Sequence, residues 1–350
     1  MKYCQKYSGI GGQAILEGIM MKNRQNYACA ARRPDGTVAV DRQSYVSLPE
    51  KYPVLGLPLV RGVFSFADSM ILGMRALNWS AEIYAEGGEE EEEPSKFEKW
   101  LDRVFGEKVE SFIMGAVMVF SFIMAICIFM LLPMFLSSLL KQAIKNDYVT
   151  AFLEGVLRIS IFIIYIKLIS RMEDIRRTFM YHGAEHKCIN CVEHGMPLTV
   201  ENVMKSSREH KRCGTSFILI VMLISILFFM VIRVDTLAMR AVSRILLIPV
   251  IAGVSYEFLR WTGTHDSALV NALSRPGMWM QSLTTREPTP DMAEVAIAAV
   301  EAVFDWRAYL KENFGWEDPD AGKTEVSAEK TPEKGAGDDA GEARADGEAS

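Results

Sequence analysis

Long apolar stretches without charge alternate with charged segments along this chain. The apolar stretches predict its architecture. Phe112–Leu140 holds no charged residue over 29 positions, more than the roughly 20 that a helix needs to cross a bilayer. Ser216–Ile232 is a second clean run, and Val149–Ser170 is a third run that three charges interrupt. Val242–Leu259 is the weakest, short enough to be re-entrant. The pattern predicts about four spans, the first kinked or ended at Pro133.

Outside these runs the periodicity changes. Tyr27–Arg33 and Thr37–Tyr45 flank a Pro-Asp-Gly turn and predict a β-hairpin. Residues 9–22 read as a Gly-rich opening, in which Gly11-Gly12-Gln13 is a turn packed on the membrane helices. From Leu59 to Leu77 apolar residues recur every three or four positions, which predicts an amphipathic helix on the membrane surface or packed on the spans.

The predicted fold is therefore mainly α: a polytopic membrane protein with a small N-terminal β-hairpin-containing module and a disordered C-terminal tail. Leu273–Glu287 reads as irregular, and Met292–Leu310 as a helix with Asp291 as its N-cap. The predicted segments are a Gly-rich and β-hairpin module at 1–58, an amphipathic helix at 59–85, an acidic linker at 86–110, spans one and two at 111–170, a His- and Cys-rich cytoplasmic hairpin at 171–214, spans three and four at 215–260, a C-terminal cytoplasmic segment at 261–316 and a disordered acidic tail at 317–350.

The distribution of charge predicts how the spans are oriented and which classes of partner the protein binds. The net charge of -6 comes largely from the acidic run Glu89–Glu93 and the tail, and no basic stripe predicts a nucleic-acid partner. The 171–214 connection holds eight Lys or Arg residues, against two in each neighbouring turn. By the positive-inside rule this connection and, with four spans, both termini face the cytoplasm. The bilayer is the predicted partner.

Candidate chemistry is concentrated in the 171–214 connection. Four of the five histidines and three of the six cysteines lie within 32 residues. His182-Gly-Ala-Glu185-His186 fits the inverted zinc-protease pattern H-x-x-E-H. At roughly 100° per residue these three side chains leave a helix at relative angles of about 0°, 300° and 40°, so they share one face. Two imidazoles there can bind one metal while the carboxylate acts as a general base.

The remaining ligands are left open by the spacing. A helical hairpin would bring His210 or Cys213 to His182 and His186 and complete a divalent-metal site, with zinc the predicted ion. A structural zinc is the alternative, and its ligands would be Cys188, Cys191, His210 and Cys213.

Ionisable residues also occur near the predicted span ends. Glu154 and Arg158, four residues apart, are interpreted as an interfacial pair. Glu257 is interpreted the same way, or as a carboxylate ligand of the metal.

Several motifs together resemble the YqhQ-like bacterial membrane proteins. The resemblance runs from about residue 9 to 304 and is carried by GGQAILEGIMM, YHGAEHKCINCVEH, HKRCGTSF, PGMWMQSLTTREP and EVAIAAVEAV. It implies a multi-pass protein of the bacterial inner membrane and a metal-dependent enzyme of unknown activity. The motif residues that it implies are His182, Glu185, His186, His210, Arg212 and Cys213.

Two functions follow. The first is a metal-dependent hydrolase at the cytoplasmic membrane surface, in which Glu185 is catalytic and His182, His186, His210 and Cys213 are the candidate ligands. The second is a membrane scaffold or biogenesis factor that binds an unidentified protein partner and in which any metal is structural. A transporter ranks below both, because the spans show no duplication or paired broken helices.

Overall fold

A computed structural model describes residues 5–85, 109–140, 146–232, 236–265 and 267–317, together with Ile144 and Val234. Almost all of the acidic linker and of the tail lies outside the described residues. Within them, the mainly α, polytopic fold with a small N-terminal β module is confirmed.

The N-terminal module is a four-stranded antiparallel meander. Its strands are β1 (Ile10–Ile15), β2 (Gly18–Asn23), β3 (Asn26–Arg32) and β4 (Val38–Ser44), paired in that order. The predicted hairpin is therefore β3–β4, but the opening that the sequence indicated as a turn forms two further strands. Glycines hide the alternation that marks a strand, because they contribute no side chain to either face.

Helices cover both faces of this sheet. Residues of α6 (Glu173–Glu193) and α11 (Pro290–Val303) form one core with the sheet residues Ile19 and Met21. On the opposite face Leu72 and Ala76 of α2 (Val60–Ala85) pack against Ile15. Two short elements precede α2: α1 (Leu48–Lys51) and the 3-10 turn Pro53–Gly56. The sheet thus lies between helices α6 and α11 on one face and the amphipathic helix α2 on the other.

Four helices among the described residues are long and apolar enough to cross a membrane. The first contains α3 (Val109–Ile126), a π-helical turn at Cys127–Leu131 and α4 (Leu132–Leu140); the others are α5 (Asp147–Ile169), α8 (Gly214–Val231) and α9 (Leu237–Thr264). Pro133 does not end the first span, because the helix continues beyond it. The fourth is a continuous helix of 28 residues that accommodates Pro249, so the re-entrant interpretation is wrong.

The pair of Glu154 and Arg158 lies inside the bundle rather than at an interface. Arg158 Nη2 is 3.3 Å from Glu154 Oε1, and Arg244 of α9 donates to Glu154 from the other side at 2.6 Å. Ser225 of α8 accepts a hydrogen bond from Arg158 at 2.8 Å. All three charged side chains are buried, so the interfacial interpretation of Glu154 and Arg158 is wrong. The cluster ties three spans together.

The C-terminal part departs from expectation in two places. The stretch predicted as irregular lies mostly in α10 (Ala268–Thr284), which contains Pro276 and packs against α8. The helix predicted over 292–310 is divided into α11 and α12 (Trp306–Phe314), with a break at Phe304. Thr289, rather than Asp291, occupies the N-cap position of α11. Asp305 caps α12 through the Ala308 amide.

Candidate metal centre

Helix α6 presents His182 and His186 together on one face. It starts at Glu173, after a break that follows α5, and the two histidines are one turn apart. Their ring centroids are 4.4 Å apart. The predicted shared face is therefore present on α6, although this helix does not continue directly from the second span.

Cys213 completes the group from the other side of the hairpin. It is the N-cap of α8, where its sulfur accepts a hydrogen bond from the Thr215 amide. Its Sγ lies 3.2 Å from Nε2 of His182. One ligand atom from each of His182, His186 and Cys213 lies within 4.8 Å of the other two, and among the described residues this is the group that could hold a metal ion. The hairpin is closed by α7 (Val200–Lys205), which Thr199 caps through the Asn202 amide.

Backbone carbonyls orient both imidazoles. Nδ1 of His182 lies 2.9 Å from the Thr284 carbonyl oxygen, and Nδ1 of His186 lies 2.6 Å from that of Arg208. When each Nδ1 donates its proton to the carbonyl, each Nε2 is left with a lone pair. Partners of this kind fix the tautomer and the ring orientation of metal-binding histidines.

Gly183 allows the segment that follows α10 to lie close against α6. A Cβ at this position would lie 2.0 Å from the carbonyl oxygen of Arg286. The segment after α10 is anchored there by the Arg286 amide, which donates to the Phe179 carbonyl at 2.8 Å. Gln281 holds α10 to the hairpin, because its side chain bonds both the amide and the carbonyl of His210.

Glu185 lies between the two histidines in sequence and is 5 % exposed. Its Oε2 is buried and has no hydrogen-bond partner in the structure. Burial raises the pKa of this carboxyl group, while His182, His186 and the Gly12 backbone amide oppose the rise. A Cβ at Gly12 would lie 3.1 Å from Cδ of Glu185, so the strand passes close beside the carboxyl group. A buried carboxylate oxygen without a donor is suited to accept a proton.

The His182–Cys213 pair is polarised. Burial by itself would raise the pKa of the Cys213 thiol, but the charges of His182 and His186 outweigh it and hold that pKa well below its usual range. Burial would lower the pKa of His182, yet the neighbouring sulfur raises it to about 9. The pair is thus a thiolate beside an imidazolium, and a cation bound here would displace that proton.

His210 is buried but is not brought into the group. Its ring centroid is 5.8 Å from that of His186. Its Nε2 lies 3.4 Å from Glu193 Oε2 and faces Arg212. The structure therefore brings together three of the four predicted ligands, and His210 belongs to a neighbouring ion pair.

Glu193 is the residue at the centre of that neighbouring pair, and the sequence analysis did not single it out. Its fully buried carboxylate accepts hydrogen bonds from Arg212, from Gln5 at 2.9 Å and from the Ser8 amide and hydroxyl. Arg212 in turn stacks on the Tyr7 ring, 4.0 Å from its centroid. The cluster fastens the N-terminal segment to the hairpin, and no local pattern around Glu193 signals it.

The alternative ligands are placed elsewhere. Cys188 and Cys191 are buried in the core between α6 and α11, where burial raises the pKa of both thiols. They are not grouped with His210 and Cys213 in the described part of the chain. Glu257 accepts a hydrogen bond from Arg61 of α2 at 2.7 Å. The structural-zinc set and the Glu257 ligand are therefore not assembled.

The donor set suits a zinc ion. Two imidazoles and a thiolate are the nitrogen and sulfur ligands that zinc takes in proteins, and three protein ligands leave the fourth position open, as in catalytic sites. The orphaned oxygen of Glu185 lies beside them. The residues present thus fit a bound metal.

Comparison with known proteins places the chain among uncharacterised sequences. The family described as protein of unknown function (DUF1385) matches residues 57–306. The uncharacterized protein YqhQ of Bacillus subtilis (strain 168) is 34 % identical over 310 residues, which cover 87 % of this chain and 94 % of that protein. No solved structure matches the chain.

Proposed function

This chain belongs to the DUF1385 family of proteins of unknown function, and we propose that it is a metal-dependent hydrolase whose site lies at the surface of the membrane. One observation carries the proposal: His182, His186 and Cys213 converge within 4.8 Å, and all three interact electrostatically with Glu185, which has an unpartnered carboxylate oxygen. Structural zinc sites close with four ligands, whereas a three-ligand group beside a buried acid is the arrangement of a catalytic site.

The histidines and the glutamate have separate roles in the proposed reaction. When bound, zinc supplies Lewis acidity that polarises a carbonyl and makes water a nucleophile near neutral pH. His182 and His186 hold the ion, with their orientation fixed by the carbonyls of Thr284 and Arg208. Glu185 accepts a proton from the attacking water and returns it to the leaving group, and its raised pKa suits both steps.

The site is proposed to face the cytoplasm of a bacterium, at the inner membrane. Of the connections between spans, the one that carries the site is the richest in Lys and Arg, and the positive-inside rule then places it and both termini on the cytoplasmic side. Labelling of an introduced cysteine at the exposed residue Lys205→Cys against one at Asn146→Cys in intact cells and in inverted vesicles tests this orientation.

Metal content and activity measured together test the enzyme. The protein is purified in detergent without chelators, bound metal is measured, and hydrolysis of fluorogenic peptide and ester panels is followed. His182→Ala should lose both metal and activity, whereas Glu185→Gln should keep the metal and lose activity. His194→Ala, on the same helix but outside the group, should keep both. A wild-type protein without bound metal contradicts the proposal, and a Glu185→Gln variant with full cellular function favours a scaffold with a structural metal.

A second candidate is a hydrolase that uses Cys213 as its nucleophile. The favouring observation is that the Cys213 thiolate caps a helix N-terminus and contacts His182, whose Nδ1 faces the Thr284 carbonyl. We rank it second because it gives Glu185 no role. Inactivation by iodoacetamide with insensitivity to chelators would favour it, and the reverse pattern supports the metal.

A further inference from the structure

Among the described residues, strand β1 is an edge strand that pairs with β2 alone. Ile15 and Gly18 flank a two-residue turn and form a hydrogen-bonded pair, so Gly11, Gln13 and Ile15 direct their backbone groups toward β2. The backbone groups of the alternate residues, Gly12 and Ala14, therefore point outward from the sheet, and the Gly12 amide donates to the Glu185 carboxylate.

The two edges of the sheet differ in protection. Natural sheets guard their edges with charges, prolines or covering elements, because open backbone groups recruit another strand. The outer strand β4 carries Asp41 and Arg42. Strand β1 reads Ile-Gly-Gly-Gln-Ala-Ile and has neither charge nor proline. The unprotected edge is the one beside the metal centre.

The open part of this edge is short and its position is defined. At one end the Ile10 amide donates to the Ser8 hydroxyl, and beyond the other end the Leu16 amide donates to Ser80. Between them Gly11 and Gly12 are exposed. Gly12 also lies against Glu185. A chain that pairs with this edge would pass directly beside the candidate catalytic carboxylate.

We infer that the outer edge of β1, at the Gly12 carbonyl and at the Ala14 amide and carbonyl, binds an extended segment of a polypeptide substrate by strand addition. The inference rests on the proposed function and names its substrate class, a peptide rather than an ester or a small amide. Backbone pairing supplies affinity without a sequence requirement, and the paired glycines add no side chain that would hold the segment away. Hydrolysis then breaks the peptide C–N bond and forms a C–O bond to water, and Glu185 transfers the water proton to the leaving nitrogen.

Hydroxamates test the metal and the edge separately. The zinc-loaded, full-length protein in detergent is titrated with acetohydroxamic acid, which can bind only through the metal, and with a tripeptide hydroxamate. Two further analogues of the tripeptide carry a single N-methyl group, each on one of two successive backbone amides. In an extended strand successive amides point to opposite sides, so only one of the two methyl groups meets β1.

The expected pattern is asymmetric. The tripeptide should bind at least tenfold more tightly than acetohydroxamic acid, because roughly two main-chain hydrogen bonds are added. One N-methyl analogue should lose most of that gain and the other should keep it. Ala14→Pro, which removes an outward amide, should lower the tripeptide affinity and leave acetohydroxamic acid unchanged.

The failures are distinguishable. Equal affinity of all peptide analogues, or equal losses from both methyl groups, overturns strand addition and leaves the metal centre standing. Absence of acetohydroxamic acid binding overturns the metal centre and, with it, the inference. Since the ligand series uses the wild-type protein, the result does not depend on whether Ala14→Pro folds.

Discussion

The imidazole of His182 and the thiol of Cys213 lie 3.2 Å apart, Nε2 to Sγ, although 31 residues separate them in the chain. His182 belongs to α6 and Cys213 caps α8, so their contact joins the helix that packs on the sheet to one of the candidate spans. His186, one turn further along α6, completes the group.

Removing the thiol tests the third ligand. Cys213→Ser replaces a soft thiolate with a hydroxyl that stays protonated, so zinc affinity should fall by at least roughly 100-fold, more than the loss of an outer-shell partner costs. Competition against a fluorescent zinc chelator measures it. Cys191→Ser, at a buried thiol outside the group that donates to the backbone carbonyls of Met196 and Pro197, should leave the affinity unchanged.

Gly183→Ala tests the carbonyl that orients His182. The added Cβ would meet the Arg286 carbonyl at 2.0 Å and push the segment carrying Thr284 away. Zinc affinity should then fall by about 10–100-fold, as for other outer-shell losses. Gly115→Ala is the matched helical control, because a Cβ there meets nothing within 4 Å. An unchanged affinity in Gly183→Ala would mean that the Thr284 contact does not orient the ring.

Gly12→Ala tests whether the sheet positions Glu185. The new Cβ would lie 2.7 Å from the Met20 carbonyl oxygen and 3.1 Å from Glu185 Cδ. Displacement of a catalytic group by about 1 Å costs on the order of 100-fold in rate, so hydrolysis should fall while zinc content stays at the wild-type level. In Gly115→Ala, where a Cβ meets nothing within 4 Å, both should be retained. Parallel loss of zinc and activity would indicate misfolding of the sheet instead.

Glu154→Gln tests the buried ion cluster. The substitution leaves Arg158 and Arg244 without their carboxylate in the bundle, and removal of one partner from a buried ion pair costs about 3–5 kcal/mol. Thermal unfolding in detergent should begin at a clearly lower temperature. Glu201→Gln, which breaks an exposed pair with Lys205, should unfold like the wild type.

The lowered pKa of Glu193 predicts how the stability of the fold decreases at acid pH. Burial opposes its ionisation, but His210 and Arg212 outweigh it and lower its pKa from 4.5 to about 2. The folded state therefore favours the ionised form, and this contribution is complete above pH 4.5 and is lost as the pH falls toward about 2. The unfolding temperature of Glu193→Gln should fall less steeply than that of the wild type across this window. A slope equal to the wild type would contradict the shifted pKa, and Glu312→Gln, at an exposed carboxyl, serves as the control.

The spans and the shared face of His182 and His186 could be predicted from the sequence, because each depends only on residues that are neighbours along the chain. An uncharged run of 29 residues is read directly as a span, and His182 and His186 share a face through helix periodicity alone. Strand β1 and helix α10 were missed because glycines conceal a strand's alternation and Pro276 resembles a helix end.

The rest of the site depends on contacts between distant parts of the chain. Thr284 reaches His182 across 102 residues, and Ser8 reaches Glu193 across 185. Nothing in the sequence near Thr284 distinguishes its carbonyl from any other. The sequence left His210 and Cys213 as alternatives for the same reason, because the contact of His210 with Glu193 depends on how the hairpin folds.

The carbonyl that orients His182 comes from the end of α10, a segment synthesised after all four spans. A nascent chain that ends between Cys213 and Thr284 holds both histidines and the thiol but not this acceptor. The proposed metal centre therefore reaches its final geometry only after all four candidate spans have been synthesised, later than the N-terminal sheet.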